Sequence, residues 1–275
     1  MGKLKIARHG GLQHLTRVLR LSDEHLPFTQ DVIFVSIDLE VSRHERSAAL
    51  YDKSYIPHVK ELGIACLDTR HVFAVKNPSC EDPRLEGSSS GDASGLNCTR
   101  ETHSITTHQF SMSHSSKDFE DCDITNFKEC VFAETFHVAT IIRYLRIHDS
   151  THLNTFGKIV ITGHSVKQDW NIIQRLGIDI NRVAPIIAVI DTHSLSRCII
   201  SDAPGFSLSN ILTHLQCPYK PYELHNAGND ATYTLYVMVL LAVKWATGRD
   251  LAQRELTNMG RLQEFIETDF KARCS

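Results

Sequence analysis

The sequence predicts an α/β fold: a mixed five-stranded sheet flanked by helices. Three strand-like runs come first, at 31–37, 62–67 and 104–113, and two more, at 158–162 and 186–190, each alternate with helical patterns. The hydrophobic fraction, 42%, is enough for a real core and argues against wholesale disorder.

In chain order, 12–21 reads as a short helix, with Leu12, Leu15, Val18, Leu19 and Leu21 on one side. The β-branched run 31–37 reads as a buried central strand. Residues 47–60 read as helix or loop, and 62–67 as the second strand. The stretch 77–102, with Pro78, Pro83 and a Gly/Ser-rich centre, has the composition of a flexible loop. The weak alternation at 104–113 suggests the third strand. Val131, Phe132, Phe136, Ala139, Ile142 and Leu145 predict a helix over 130–148. Beyond the fourth strand a helix is expected at 166–176, and beyond the fifth a short one at 207–215. A turn through Pro218 and Pro221 then leads to a long amphipathic helix, 230–247, and a charged one, 251–272. The expected organisation is an N-terminal helical extension over 1–30, one domain over 31–248 with an insertion at about 77–102, and a C-terminal helix over 249–275.

The chain of 275 residues has a net charge of −3, which counts against a protein that coats nucleic acid through its phosphates alone. It does not count against an enzyme holding a few nucleotides at a carboxylate-rich metal centre, where bound cations invert the local charge. None of the eight cysteines forms a C-x-x-C pair, so a zinc ribbon has no support. No apolar run approaches the ~20 residues of a membrane span. Residues 1–20 do not resemble a secretory signal, and the expectation is an intracellular protein, cytoplasmic or nuclear, with reduced thiols.

Three constellations carry chemistry. Asp38-Leu-Glu40 follows the first strand, and residues two apart on a strand point the same way. Two close carboxylates repel unless something positive lies between them, and hard cations such as Mg²⁺ or Mn²⁺ suit oxygen ligands. Taken alone, D-x-E reads as two exposed charges. Gly163-His-Ser-Val-Lys-Gln-Asp169 follows the fourth strand and sets Asp169 in a helix's first turns, where its charge favours the dipole. Alone it reads as a surface or capping aspartate, and His164 as a hydrogen-bonded structural histidine. The most specific is Leu224-His-Asn-Ala-Gly-Asn-Asp230, in which Asn229 can cap the helix while loop His225 and helix-start Asp230 converge. Asp191 is a further carboxylate but reads as a turn or cap residue before Ser194. His103, His108 and His114 read as solvated loop, and Lys158, Lys167 and Arg175 as solvated faces that could meet phosphate. No P-loop or G-x-S-x-G occurs.

Asp38-x-Glu40, Gly163-His164 with Asp169, and His225-x-Ala227-x-x-Asp230 resemble the three motifs of the DEDDh exonucleases, the RNase H-like 3′–5′ family, in order, spacing and placement. The resemblance spans about residues 31–246, and the runs 61–70 and 224–235 are similar to a fungal branch of RNase H-like proteins. It implies an RNase H-like sheet and two Mg²⁺ or Mn²⁺ ions about 3.5–4 Å apart clamping the scissile phosphate. Asp38 would bridge the ions, Glu40 and Asp230 would bind one, Asp169 would contribute nearby, and His225 would be the general base. The implied partner is single-stranded nucleic acid with a free 3′ end, RNA favoured from the branch; a protein partner is possible and a membrane is not expected. Two departures bear on substrate grip. Val41-Ser42-Arg43 stands where many members carry Thr-Thr-Gly or Thr-Gly, and Gln168 replaces an aromatic residue before Asp169. They motivate a rival reading, a catalytically weak scaffold that binds RNA or protein. A hydrolase of small nucleotides is the third.

Overall fold

The computed structural model describes residues 11–22, 32–52, 54–73, 105–111, 130–132, 158–183, 186–202 and 205–274. The elements are α1 (Leu12–Val18), β1 (Val32–Val41), α2 (Arg43–Tyr51), β2 (Val59–Asp68), α3 (Thr69–Phe73), β3 (Thr106–Ser111), β4 (Cys130–Phe132), β5 (Lys158–Gly163), α4 (Lys167–Arg175), α5 (Ile180–Val183), β6 (Ile186–Asp191), α6 (Thr192–Ile199), α7 (Leu208–His214), α8 (Ala227–Thr247) and α9 (Gln253–Cys274). The strands form one mixed sheet in the order β4-β3-β2-β1-β5-β6. β1 pairs antiparallel with β2, β2 antiparallel with β3, and β1 parallel with β5, as β5 is with β6.

The five expected strands are therefore present in an α/β, RNase H-like arrangement, and a short sixth lies at the β3 edge. That sixth strand, Cys130–Phe132, corrects the start of the helix expected over 130–148, and the rest of that stretch lies outside the described residues. A three-residue apolar run fits either period, so spacing alone does not separate strand from helix there. The loop expected at 77–102 also lies outside the described residues.

Alternation along β1 sorts its side chains into two cores. Ile33, Val35, Ile37 and Leu39 join Trp170, Ile172 and Ile173 of α4 on one face. Val32 and Phe34 face the larger core, made with α1, α3, α6, α7, α8 and α9. Asp38 and Glu40 belong to this second set by their parity. β1 runs on through both carboxylates to Val41, so they lie inside the strand rather than beyond its end.

The long helix also differs from expectation. It begins at Ala227, and Asn226, not Asn229, is the cap: its side chain accepts the Asn229 backbone N–H at 3.1 Å. Nor is it amphipathic. Leu235, Tyr236, Val237, Met238 and Val239 are all buried in succession, because α8 lies between the sheet and a layer of helices. Despite this apolar character, no helix among the described residues is long and apolar enough to cross a membrane. Burial pushes the thiols of Cys66 and Cys217 up to about 12, so both stay protonated and inert.

Helix α9 is pinned by one buried carboxylate. Asp269 accepts the Ile105 N–H at 2.8 Å, the Tyr236 hydroxyl at 2.5 Å and Arg273 Nε at 2.8 Å. Arg273 also donates to the Ile105 carbonyl. One side chain thus ties α9 to α8 and to the segment entering β3. Asp269→Ala deprives the half-buried Arg273 guanidinium of its carboxylate and the Ile105 N–H and Tyr236 hydroxyl of their acceptor, and is expected to cost about 3–5 kcal/mol. Urea unfolding of the variant checks this; a loss below about 1 kcal/mol would mean that apolar contacts alone hold the helix.

Candidate active site

Three elements deliver the motif residues to one end of the sheet. β1 carries Asp38 and Glu40. In the antiparallel pairing Asp38 lies opposite Gly63 and Glu40 opposite Glu61, so all four positions share the α8 face. Gly63 admits the first turn of α8. A β-carbon there would sit 1.9 Å from the Ala227 carbonyl oxygen and 2.6 Å from the Gly228 nitrogen. Glu61 completes the contact by accepting the Ala227 N–H at 3.1 Å, and Gln109 Nε2 donates to the same oxygen at 3.3 Å. With the turn pressed on β2, Asp230 projects beside Glu40.

The loop before α8 is held from beneath. The one-turn 3-10 helix Pro221–Glu223 buries Glu223, which accepts the Tyr233 hydroxyl at 2.5 Å and pairs with Lys220 at 3.1 Å. Asn229 Nδ2 donates to the Glu223 carbonyl at 2.7 Å. His225 follows, exposed, with a left-handed backbone (φ 66°). Its N–H donates to Asp230 Oδ2 at 3.2 Å, which fixes the histidine against the aspartate it precedes by five residues.

Asp169 arrives through a tight turn. Gly163 packs against Val166, which would lie 2.7 Å from an added β-carbon, and Ser165 is left-handed at φ 63°. Asp191 holds this turn, accepting the Ser165 N–H at 2.9 Å and the Ser194 hydroxyl at 2.7 Å. It is thus a structural carboxylate, as its position before Ser194 suggested. His164 is structural too: Nδ1 lies 3.0 Å from Thr192 Oγ1, and burial, with help from His193, pulls its pKa down to about 4.

The structure brings one donor atom from each of Glu40, His225 and Asp230 within 4.8 Å of one another. Asp38 and Asp169 are not in that tight group, yet they belong to the same electrostatic cluster. Burial, then Asp169, Asp230 and Glu40, push Asp38 well above the usual carboxylate range. Burial lifts Asp169 to about 7, with Arg46 opposing and Glu40 and Asp191 adding to the rise. Asp230 also reaches about 7, from burial and then Glu40, partly offset by the His225 N–H. Burial raises Glu40, while His225, Arg46 and Lys60 pull it back. The donor set fits hard cations, and Asp230 Oδ1 is a buried oxygen with no hydrogen-bond partner that a cation would satisfy.

Two neighbouring residues were not anticipated. Glu61 is identified only by strand register. Arg46 lies on α2, which starts directly after β1 because Ser42 caps it, accepting the Glu45 N–H at 3.2 Å. The Ser-x-x-Glu spacing is a helix-start signal that could have placed it. Of the lysines and arginine considered for phosphate, Arg175 is committed to structure: Nη1 donates to the carbonyls of Ala49 at 2.8 Å and Tyr55 at 3.3 Å.

A family model described as DEDDh_C, DNA polymerase III subunit epsilon-like, C-terminal domain, matches residues 33–241. Among solved structures, the yeast NOT1 MIF4G domain co-crystallised with CAF1 aligns at 12% identity and TM-score 0.40, covering 86% of this chain and 84% of that one. The RNase domain of the yeast Pop2 protein aligns at 10% identity and TM-score 0.40, covering 88% and 86%. Neither is close enough to transfer a residue role. No curated protein matches the chain.

Two outcomes follow from the geometry. Raised carboxyl pKa values mean that the protonated forms favour the fold. With a chelator present, their contribution is full below the ordinary carboxylate value of about 4. It is lost as pH rises through about 7, the folded value of Asp169 and Asp230. The melting temperature should fall across that window, and Mg²⁺ or Mn²⁺ added at about pH 8 should restore it. A pH-independent melting temperature without cations would contradict the crowding. Gly63→Ala should cost about 1–3 kcal/mol and weaken Mn²⁺ binding, since the turn bearing Asp230 must move; unfolding and electron-spin titration of Mn²⁺ measure the two.

Proposed function

This chain belongs to the DEDDh exonuclease family of the RNase H-like superfamily; from that premise we propose that it is a metal-dependent 3′–5′ exonuclease acting on single-stranded nucleic acid. The observation that carries the proposal is the meeting of Glu40, His225 and Asp230, from a strand, a loop and a helix, beside half-buried Asp38 and buried Asp169. A packed fold gains nothing from crowding four carboxylates at one end of its sheet; a cation site does. RNA is favoured over DNA from the similarity of residues 61–70 and 224–235 to a fungal branch of the superfamily.

Asp38, Glu40, Asp169 and Asp230 would hold two divalent cations, Mg²⁺ or Mn²⁺, which would stabilise charge on the scissile phosphate and on the attacking and leaving oxygens. His225 would take the proton of the attacking water. Its ring is exposed, and one of its nitrogens lies within 4.8 Å of the Glu40 and Asp230 carboxylates, within reach of a water held between them. The Asp230–His225 hydrogen bond orients the loop, and Glu223 with Tyr233 fixes its base. Glu61 holds the α8 turn rather than facing the substrate.

Labelled single-stranded and duplex RNA and DNA, incubated with Mg²⁺ or Mn²⁺ and resolved on a gel, test the reading: stepwise shortening from the 3′ end is expected, fastest on single-stranded RNA. Binding without shortening would favour the scaffold reading instead. Asp38→Ala should abolish hydrolysis, while the metal-free melting temperature holds or rises as repulsion is relieved. Near-normal turnover in this variant would sink the assignment. His225→Asn keeps a residue tolerant of the left-handed backbone but removes the base. It should fold normally, bind Mn²⁺ and lose roughly 10²–10⁴-fold in rate, and the rise in rate through the imidazole range should disappear. A retained pH profile with a lowered melting temperature would take His225 out of the reaction.

A further inference from the structure

The two places where the chain departs from the family's motif pattern, Val41-Ser42-Arg43 and Gln168, are linked through one residue, Arg46. The first becomes the capped start of α2, and Arg46, one turn into that helix, donates through Nη1 to Gln168 Oε1 at 3.4 Å. Gln168 immediately precedes Asp169 at the start of α4. Helix α2 is also fixed elsewhere. Arg175 of α4 binds the Ala49 carbonyl, while Glu45 accepts the Tyr55 hydroxyl at 2.6 Å and the His58 N–H at 3.0 Å. Arg46 is therefore an exposed side chain on a braced element at the rim of the carboxylate cluster.

We propose that Arg46, positioned by Gln168, grips a backbone phosphate of the substrate strand next to the one held at the carboxylates. The inference rests on the nuclease reading above and specifies its mode of recognition: a polyanionic single strand held by charge, without regard to base. Three points support it. Among the described residues, Arg46 uses one of the five guanidinium N–H donors in a side-chain hydrogen bond, and that bond is long and exposed, so a phosphate oxygen would displace or join it at little cost. Arg46 acts on Asp38, Glu40 and Asp169 without an ion pair to any of them, which places it beside the cluster rather than within it. Two divalent cations would cancel the charge of four carboxylates. Arg46 would then supply net positive charge on this side of the site, with Lys60 of β2 near Glu40 as a second contributor. An overall charge of −3 concentrates phosphate recognition at such local residues rather than over a basic surface.

The test is fluorescence anisotropy of a labelled single-stranded decanucleotide, with Ca²⁺ slowing turnover, over roughly 50–300 mM KCl. Wild type, Arg46→Ala, Arg46→Lys and Gln168→Ala are compared. Arg46→Ala should raise Kd about tenfold and reduce the slope of log Kd against log salt by about 1, equally for purine and pyrimidine strands. Arg46→Lys should restore the slope and part of the affinity, since the point charge is kept and the planar fork is lost; it also guards against a misfolded alanine variant. Gln168→Ala should weaken binding less and keep the slope. Under turnover with Mg²⁺, the Arg46→Ala loss should fall on KM more than on kcat. An unchanged Kd and slope, or a loss confined to kcat, would overturn the proposal and make Arg46 a counter-ion of the carboxylates. If the wild type shortens no nucleic acid, the nuclease reading fails, and the anisotropy comparison alone still decides whether Arg46 grips phosphate.

Discussion

The site depends on a steric constraint at one glycine. The first turn of α8 rests directly on β2 at Gly63, where a β-carbon would overlap the Ala227 carbonyl. Because Gly63 is the cross-strand partner of Asp38, the contact that seats the central helix also brings Asp230 to the carboxylates of β1. Glu61, two pairs further along, fastens the same turn by accepting the Ala227 N–H. Core and site share a foundation, since the apolar body of α8 buries itself against the sheet and its polar first turn faces the acids.

That arrangement concentrates charge where burial makes charge costly. The fold tolerates it because apolar packing along α8 and the Asp269 network of α9 hold the elements in place independently of the carboxylates. Local strain follows the same logic. His225 and Ser165 are both left-handed, and each lies where a loop must turn sharply to present a motif. Their turns are held by carboxylates that accept backbone N–H groups, Asp230 for one and Asp191 for the other. One of these aspartates belongs to the three motifs and the other does not, although both follow the same hydrogen-bonding pattern.

Much of this was legible in the sequence. Apolar runs located the five main strands, and the order and spacing of Asp38, Glu40, Asp169, His225 and Asp230 marked the residues that the fold gathers. The failures have physical causes. β1 continues through two acids because they alternate with buried Leu39 and Val41 and stay paired with β2, whereas hydrophobic patterning stops at the first charge. α8 is buried around its circumference over most of its length, with Lys244 and Thr247 exposed near its end, so its period is poorly marked by polar residues. α2 was misplaced because its start is announced by Ser42 and Glu45, a capping signal, rather than by an apolar stripe. Glu61 was invisible because only strand register sets it opposite Glu40, and register is a tertiary property. Arg46 was overlooked because its importance comes from Gln168, 122 positions away.

The pairing at the heart of the sheet has a kinetic consequence. Val32 of β1 finds Lys158 of β5 across 126 positions of chain, whereas β1 and β2 are near neighbours. Loop-closure entropy grows only logarithmically, so doubling the connection would cost about 0.6 kcal/mol. Equilibrium stability is therefore indifferent to how long the connection between the two halves becomes. The rate is not, because the parallel partner must be found late and from far away. The β1–β2 hairpin can form early, with the Asp38–Glu40 strand and the Gly63 platform in place, and wait for β5 and α8 to arrive. On that order the carboxylate-bearing end would be among the last parts of the molecule to mature, and nascent chains would acquire the acidic cluster only after the sheet has closed.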